Sequence, residues 1–290
     1  MHFPFTSGKW QLKLGVQPLD LKDWIQIDSH FQSELDLKEQ LTRSHPSEVF
    51  GSLPQSLESQ RETLSLLIEH LLTHFPQIYH VQGNLIQNRL INKTWQIDDF
   101  DTNPLALAGR LVQEDFLILQ PLDSQYCLTA ASVCFPLRWK IAEKLGHPLA
   151  MIHQPVPQYQ QKLANPVDNL FTRLSAENPV WRLNWSLVDT PELFLAKGIK
   201  KAESLPAITS ENAGDRLWLR FEHQSMRRLP KTSNIVFGIH TYIEPLKILA
   251  NFPEAAQGLA STVQQMPAEM QAYKSISPVR DALINYLNTL

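Results

Sequence analysis

The stretch "RLWLRFEHQSMRRLPKTSNIVFGIHTYI", residues 216–243, decides how this chain is read. It holds two strands, 216–224 and 234–243, bounded by polar and proline-containing segments. Side chains alternate across a strand, so Leu217, Leu219 and Phe221 share one face, while Trp218, Arg220, Glu222 and Gln224 share the other. Alternating polar residues ordinarily mark a solvated face. Here Trp218 stands on the same side as Arg220, and the strand runs straight into "MRRLP". The strand "WRLNWSLV" (181–188) repeats the pattern, with Trp181, Leu183 and Trp185 on one side and Arg182, Asn184 and Ser186 on the other. Buried charges must be paired, and Arg220 with Glu222 supplies both signs. The face reads as a pocket wall.

Working outward, "DFLILQ" (115–120) and "YCLTAASVC" (126–134), joined by "PLDSQ", read as a hairpin. Between this hairpin and the later strands lies a helical block: "WKIAEKLG", the segment around His153, and "VDNLFTRLSA". Upstream, "LESQRETLSLLIEHLLTHF" sets Leu64, Leu67, Ile68, Leu71, Leu72 and Phe75 at helical spacing, with Ser56 or Ser59 as N-cap and Pro76 past the end. "ELDLKEQLTRSH" reads as a second, more polar helix and "PLALAGRLV" as a short one, with weak strand signals at "IYHV" and "NLIQNRLI". The polar loop "AESLPAITSENAGD" (202–215) reads as mobile, and the tail "PVRDALINYLNTL" as helix. The expectation is an α+β fold in three parts: a mainly helical extension over 1–103, a core over 104–250 and a helical segment over 251–290. Two strands, a helical block and three strands is the order of a PAS-type domain, in which five antiparallel strands form one sheet and helices cover a ligand pocket.

With 290 residues and 43% hydrophobic content, the chain is large enough for a sizeable core. A net charge of −3 gives no electrostatic case for nucleic acid or an anionic membrane surface. The longest apolar runs, "LALAG" and "FLIL", fall far short of a membrane span. The start, "MHFPFTSGKW", shows neither a charged n-region nor an apolar h-region, so a cytoplasmic protein is expected. Two cysteines, Cys127 and Cys134, exclude a disulfide framework and a four-cysteine metal site. Seven apart in one expected strand, they fall on opposite faces and read as small buried hydrophobes.

Dinucleotide, phosphate-loop, serine-hydrolase and zinc-protease motifs are absent from the sequence. His70 and His74 have the i, i+4 spacing of a metal pair but no obvious third ligand, and His240 on an apolar strand reads as a hydrogen-bonded core histidine. "HPLAMIHQPVPQY" (147–159) is more distinctive: His153 ends an apolar run and is followed by Gln154-Pro155-Val156-Pro157. Proline fixes φ, so this segment is expected to be stiff and extended, a frame able to aim an imidazole.

These residues carry a resemblance. "CFPLRWKIAEKLGHPLAMIHQPVPQY", "WRLNW" and "LRFEHQSMRRLPKTSNIVFGIHTYIEPL", together with "GVQPLDLKDWIQID" and "LALAGRLVQEDFLIL", resemble the haem-dependent oxidative N-demethylase family over most of residues 14–250. The resemblance implies a PAS-like core holding haem b. It also implies a monooxygenase component that oxidises a methyl group of a small methylated amine with O2 and external electrons. His153, in the matching Ile-His-x-Pro-Val-Pro motif, is then the proximal iron ligand. Arg182, Arg220 and Arg228 become candidates for the two haem propionates, because Arg binds carboxylate in a bidentate fork. Glu222 suits a protonated amine, and Asn184 and Gln224 either orient substrate or oxygen or simply satisfy buried polar groups. Cys134 is a rival axial ligand. The family more often reads Glu-Arg-Gln where this chain has Glu222-His223-Gln224, and His223 should face away from the pocket. Two cysteines cannot carry an iron–sulfur cluster, so electrons would come from a separate NADPH-dependent flavin and iron–sulfur reductase. The alternative is a non-catalytic PAS-like protein that binds or senses haem or another small ligand.

Overall fold

The computed structural model describes residues 3–196 and 207–290. Its centre is a seven-stranded antiparallel sheet. The strands are β1 (Gln17–Pro18), β2 (Phe50–Ser52), β6 (Asp115–Leu122), β7 (Gln125–Ser132), β8 (Val180–Val188), β9 (Trp218–Arg228) and β10 (Ile235–Pro245), in the order β1-β8-β9-β10-β6-β7-β2. All five expected strands are present. The correction is that two short edge strands from the first fifty-odd residues extend the sheet to seven. A separate small sheet of β3 (Tyr79–Gln82), β4 (Leu85–Asn88) and β5 (Lys93–Gln96) accounts for the weak upstream signals.

The two faces of the sheet differ, as alternation requires. On one face Phe116, Ile118, Ala130 and Val236 pack beneath α1 (Phe31–Ser44), α3 (Leu57–His74) and α4 (Pro104–Leu111), with α2 (Pro46–Val49) leading into β2. The same face at β8 and β9 presents Trp185, Leu187, Leu219 and Phe221 to Phe3, Phe5 and the carboxy-terminal helices α9 (Pro253–Gln265), α10 (Ala268–Tyr273) and α11 (Arg280–Leu287). On the opposite face Leu117, Leu119, Met226 and Ile235 meet α5 (Leu149–Ile152) and α7 (Ala164–Arg173), with α6 (Tyr159–Lys162) between them. The stretch of β8 and β9 bearing Arg182, Asn184, Arg220 and Glu222 is on this same face.

Several local expectations change. "WKIAEKLG" forms only a single 3-10 turn, Ile141–Glu143, since Leu145 and Gly146 follow and Gly146 takes a positive φ of 82°. β9 starts at Trp218, after the short helix α8 (Ala213–Arg216), and runs on through Arg228. Ser56 is the N-cap of α3 by position, yet its hydroxyl bonds back to the Leu53 carbonyl and not to the helix. β7 ends at Ser132, and its pairing with β6 shifts register between Ile118 and Leu119. Cys127 and Cys134 therefore do not share a strand, and the simple parity rule that separated them fails at the bulge. Both are free and buried. The first part of the loop 202–215, as far as residue 206, lies outside the described residues.

Candidate functional site

β8 and β9 pair with Asn184 opposite Glu222, Arg182 opposite Gln224 and Ser186 opposite Arg220. One oxygen of Glu222, Oε2, accepts from Gln224 Nε2 at 2.8 Å and Asn184 Nδ2 at 3.3 Å. The other, Oε1, stands 3.8 Å from Arg220 Nε, beyond hydrogen-bond reach, and has no hydrogen-bond donor among the described residues. Arg220 is fully buried. Its Nη1 donates to the Leu193 carbonyl at 3.1 Å and its Nη2 to the Phe135 carbonyl. Burial pushes its pKa down, and Glu222 is the first group to oppose that push.

His153 closes the one-turn helix α5, and its main-chain N–H donates to the Leu149 carbonyl. The expectation of an extended backbone is corrected here: Val156 N–H donates to the His153 carbonyl, so residues 153–156 form a turn. Proline's fixed φ serves a turn as well as an extended segment, and neither Pro155 nor Pro157 has an N–H to leave unsatisfied. Gln158 then takes a left-handed φ of 61°, and the chain swings Tyr159 back onto the imidazole, stacked at 4.8 Å with planes 9° apart. The ring's Nδ1 lies 2.9 Å from the Leu149 carbonyl. A carbonyl only accepts, so the proton must sit on Nδ1 and the lone pair on Nε2. Burial lowers the His153 pKa to about 4, so the imidazole is neutral at physiological pH. Nε2 has no partner among the described residues. An imidazole with one nitrogen anchored to a carbonyl and the other bare is prepared to bind a metal.

Three cations share this region, two of which sequence reasoning missed. Arg182 makes no hydrogen bond or ion pair among the described residues, and its buried Nε has no partner. Lys144 lies 4.2 Å over the Trp139 ring. Lys274, just past α10, donates to the Trp185 carbonyl at 2.6 Å and sits 4.8 Å over that indole. Burial lowers Lys144 and Lys274 to about 8 each, and Glu222 is the first group to oppose the shift in both. Burial likewise lowers Arg182, again opposed by Glu222. The fields of Lys144 and Arg182 reach His153 as well. All of these side chains nevertheless remain partly accessible. These side chains, desolvated yet partly accessible, form the candidate recess. Glu222 is the one carboxylate that opposes the shift of both Arg182 and Lys274, while Lys144 also feels Glu143 and Arg220 also feels Asp115 and Glu34, so two cations share one carboxylate and an anionic occupant would balance them.

Other expected site residues lie elsewhere. Arg228 is at the far end of β9, donating to the Leu174, Phe171 and Ser233 carbonyls and to the Tyr126 hydroxyl at 3.2 Å. Its donors are committed to holding α7 and the turn after β9. Cys134 packs with Leu41, Val49 and Phe135, and burial pushes its thiol up to about 12, favouring the neutral form. His223 faces the other side of the sheet, stacked at 4.7 Å on Trp181. The His70 and His74 rings lie 4.5 Å apart, tilted by 42°, and no group of three or more His, Cys, Asp or Glu among the described residues is arranged to hold a metal ion. A second hollow, lined by Asp36, Glu39, Arg43 and Lys93, is open, and Lys93 pairs there with Asp36 at 2.8 Å and Glu39 at 2.5 Å, so it has no surplus charge to offer.

The family model described as haem-dependent oxidative N-demethylase, alpha subunit-like, matches residues 15–284. The chain belongs to that family. The match takes in both sheets, the His153 turn and Lys274. No helix among the described residues is long and apolar enough to cross a membrane.

Proposed function

We propose that the chain is the haem-bearing component of an oxidative N-demethylase acting on a small methylated amine. The observation that carries this is the His153 imidazole: neutral, fixed as the Nδ1–H tautomer by the Leu149 carbonyl, and bare at Nε2. Through Nε2 it would hold the iron of haem b. Arg182, Lys144 and Lys274 would neutralise the propionates, a role that Arg220 and Arg228, committed to main-chain carbonyls, are less free to take. The five inner strands, with helices from the 139–174 segment over one face, support reading the core as PAS-like.

When bound, the haem supplies activation of O2 for insertion into a C–H bond of an N-methyl group, with electrons from an external donor. The chain's own residues do the rest. Oε1 of Glu222 receives the protonated amine, and Asn184 and Gln224 hold the carboxylate by its other oxygen so that it cannot rotate away. Hydroxylation of the methyl carbon gives a carbinolamine, which loses formaldehyde and leaves the shorter amine. The two cysteines of this sequence cannot carry an iron–sulfur cluster, so the reading takes a flavin and iron–sulfur reductase as the external electron donor.

The test is spectroscopic and then chemical. Protein reconstituted with haem is expected to show a Soret band that His153→Ala abolishes or shifts to that of an unligated haem. With a surrogate reductant it is expected to release formaldehyde from dimethylamine. Protein that refuses haem, or takes it up identically without His153, ends the proposal.

A further inference from the structure

We infer that Asp115 and Lys38 are positioning residues that pin Arg220 to two main-chain carbonyls and so keep one oxygen of Glu222 free for a cationic ligand. The inference rests on the reading of Glu222 as the anchor for an ammonium group.

Arg220 and Glu222 are next neighbours on one face of β9, and an arginine so close to a carboxylate ordinarily makes a bidentate pair. Here it does not. Both Nη groups of Arg220 are occupied by the Phe135 and Leu193 carbonyls, Nε has no partner, and Glu222 Oε1 is left at 3.8 Å. The Phe135 carbonyl is held in turn. Asp115, first residue of β6, accepts from the Cys134 N–H at 2.9 Å through Oδ1 and from the Phe135 N–H at 2.8 Å through Oδ2. Asp115 lies on the Glu222 side of the sheet, since Ile239 is the register partner of both Asp115 and Gln224.

Asp115 is itself locked from the amino-terminal extension. Lys38 of α1 approaches it at 3.1 Å, both side chains 1% exposed, and gives its remaining donors to the Glu114 carbonyl at 2.6 Å and the Gly109 carbonyl at 3.3 Å. Lys38, Asp115, Arg220 and Glu222 form a ladder of alternating charge that runs from α1 to the recess. A buried Lys–Asp pair with all its donors used is costly to build and contributes little stability over an apolar pair. What it supplies here is a fixed direction for one carbonyl, and through it for one guanidinium.

Release of the pin has a definite consequence. Freed from Phe135, the Arg220 guanidinium reorients onto Glu222 and closes the oxygen that would receive the amine. Amine binding weakens while the oxidation step, which Glu222 does not perform, is unchanged. In a crystal structure of haem-loaded Asp115→Asn, Arg220 is expected to contact Glu222 Oε1 within about 3 Å. In turnover, KM for dimethylamine is expected to rise about tenfold with kcat within about twofold of the unsubstituted protein. The double variant Asp115→Asn/Arg220→Gln, which removes the arm that swings, is expected to recover most of the lost affinity, something a merely destabilised site would not do. Should Asp115→Asn fail to fold, Lys38→Gln tests the same link. Arg220 remaining on Phe135 and Leu193 in the variant crystal, or a raised KM that the double variant does not lower, overturns the inference. If the unsubstituted protein binds haem but releases no formaldehyde, the demethylase reading fails by itself, and the position of Arg220 in the crystal still decides the ladder.

Discussion

Lys144 and Lys274, both lowered by burial to about 8, give the recess a charge that changes across mildly alkaline pH. An anion seated among them favours the protonated ammonium and raises both values again. Binding then takes up protons above pH 8, and affinity falls as pH rises through that value. Titration of the apo-protein with haemin, followed at the Soret band, is expected to show affinity dropping between pH 7 and pH 9 by about tenfold for each lysine that binding reprotonates, about a hundredfold for the two. Lys274→Met should weaken binding at pH 7 by the factor for one lysine and flatten the pH dependence; an unaltered slope would remove Lys274 from the site. Neither lysine was legible in the sequence. One follows an irregular turn and the other a short helix in the carboxy-terminal segment, and no period links either to β9. Glu222, Asn184, Gln224 and Arg182 were legible because strand alternation assigns a side without knowledge of the fold. Arg228 entered only through the resemblance and the carboxylate chemistry of arginine, neither of which gives a position along the strand.

Among the elements, the strands were easier to read than the turns. Their alternation survives packing, whereas a bulge such as that between Ile118 and Leu119 depends on how β6 meets β7 and leaves no local sign. The His153 turn was legible as a constraint and misread as a shape, because proline limits φ without choosing between turn and extended ψ. Helix–chain contacts were invisible in the sequence for a different reason. Gly258 in α9 has no apolar pattern to announce it, yet a Cβ there would lie 2.4 Å from the Phe5 carbonyl oxygen and 2.8 Å from Thr6 Cα. Those are main-chain atoms, and Phe5 is wedged against Trp185 and Phe221. They cannot yield as a flexible side chain does. Gly258→Ala is therefore expected to destabilise by about 1–3 kcal/mol, through displacement of the amino-terminal segment from α9. Urea unfolding would register this as a lower midpoint at unchanged slope, and a neutral result would mean that residues 5–6 move aside freely.

At the scale of the whole molecule, the amino-terminal extension is joined to the face of the sheet it covers by a buried ionic knot. His240, read from its apolar strand as a core histidine, is indeed fully buried, but it lies between Glu114 at 3.1 Å and Asp28 at 3.3 Å. Around these, Gln113 donates to Asp28 and Glu34, Gln26 N–H donates to Glu114, and the Tyr242 hydroxyl donates to Gln26. The acids come from distant parts of the chain, which is why no local reading could find them. Burial alone would lower His240, but Glu114 and Asp28 outweigh it and raise its pKa to about 9. The sign follows directly. A histidine with a folded-state value above its unfolded one, near 6.5, adds stability that is complete below about pH 6.5 and is lost as pH rises through about 9. The melting temperature is therefore expected to decline between pH 7 and pH 10, with hydrogen exchange accelerating first in residues 24–44, where the knot releases α1 and with it Lys38. His240→Gln keeps hydrogen bonding but not charge; it should be less stable at pH 7, by about 3–5 kcal/mol where a buried acid is left unpaired, and its melting temperature should lose that part of its pH slope. Parallel declines in the two proteins would show that the imidazolium is not what fastens the extension to the sheet.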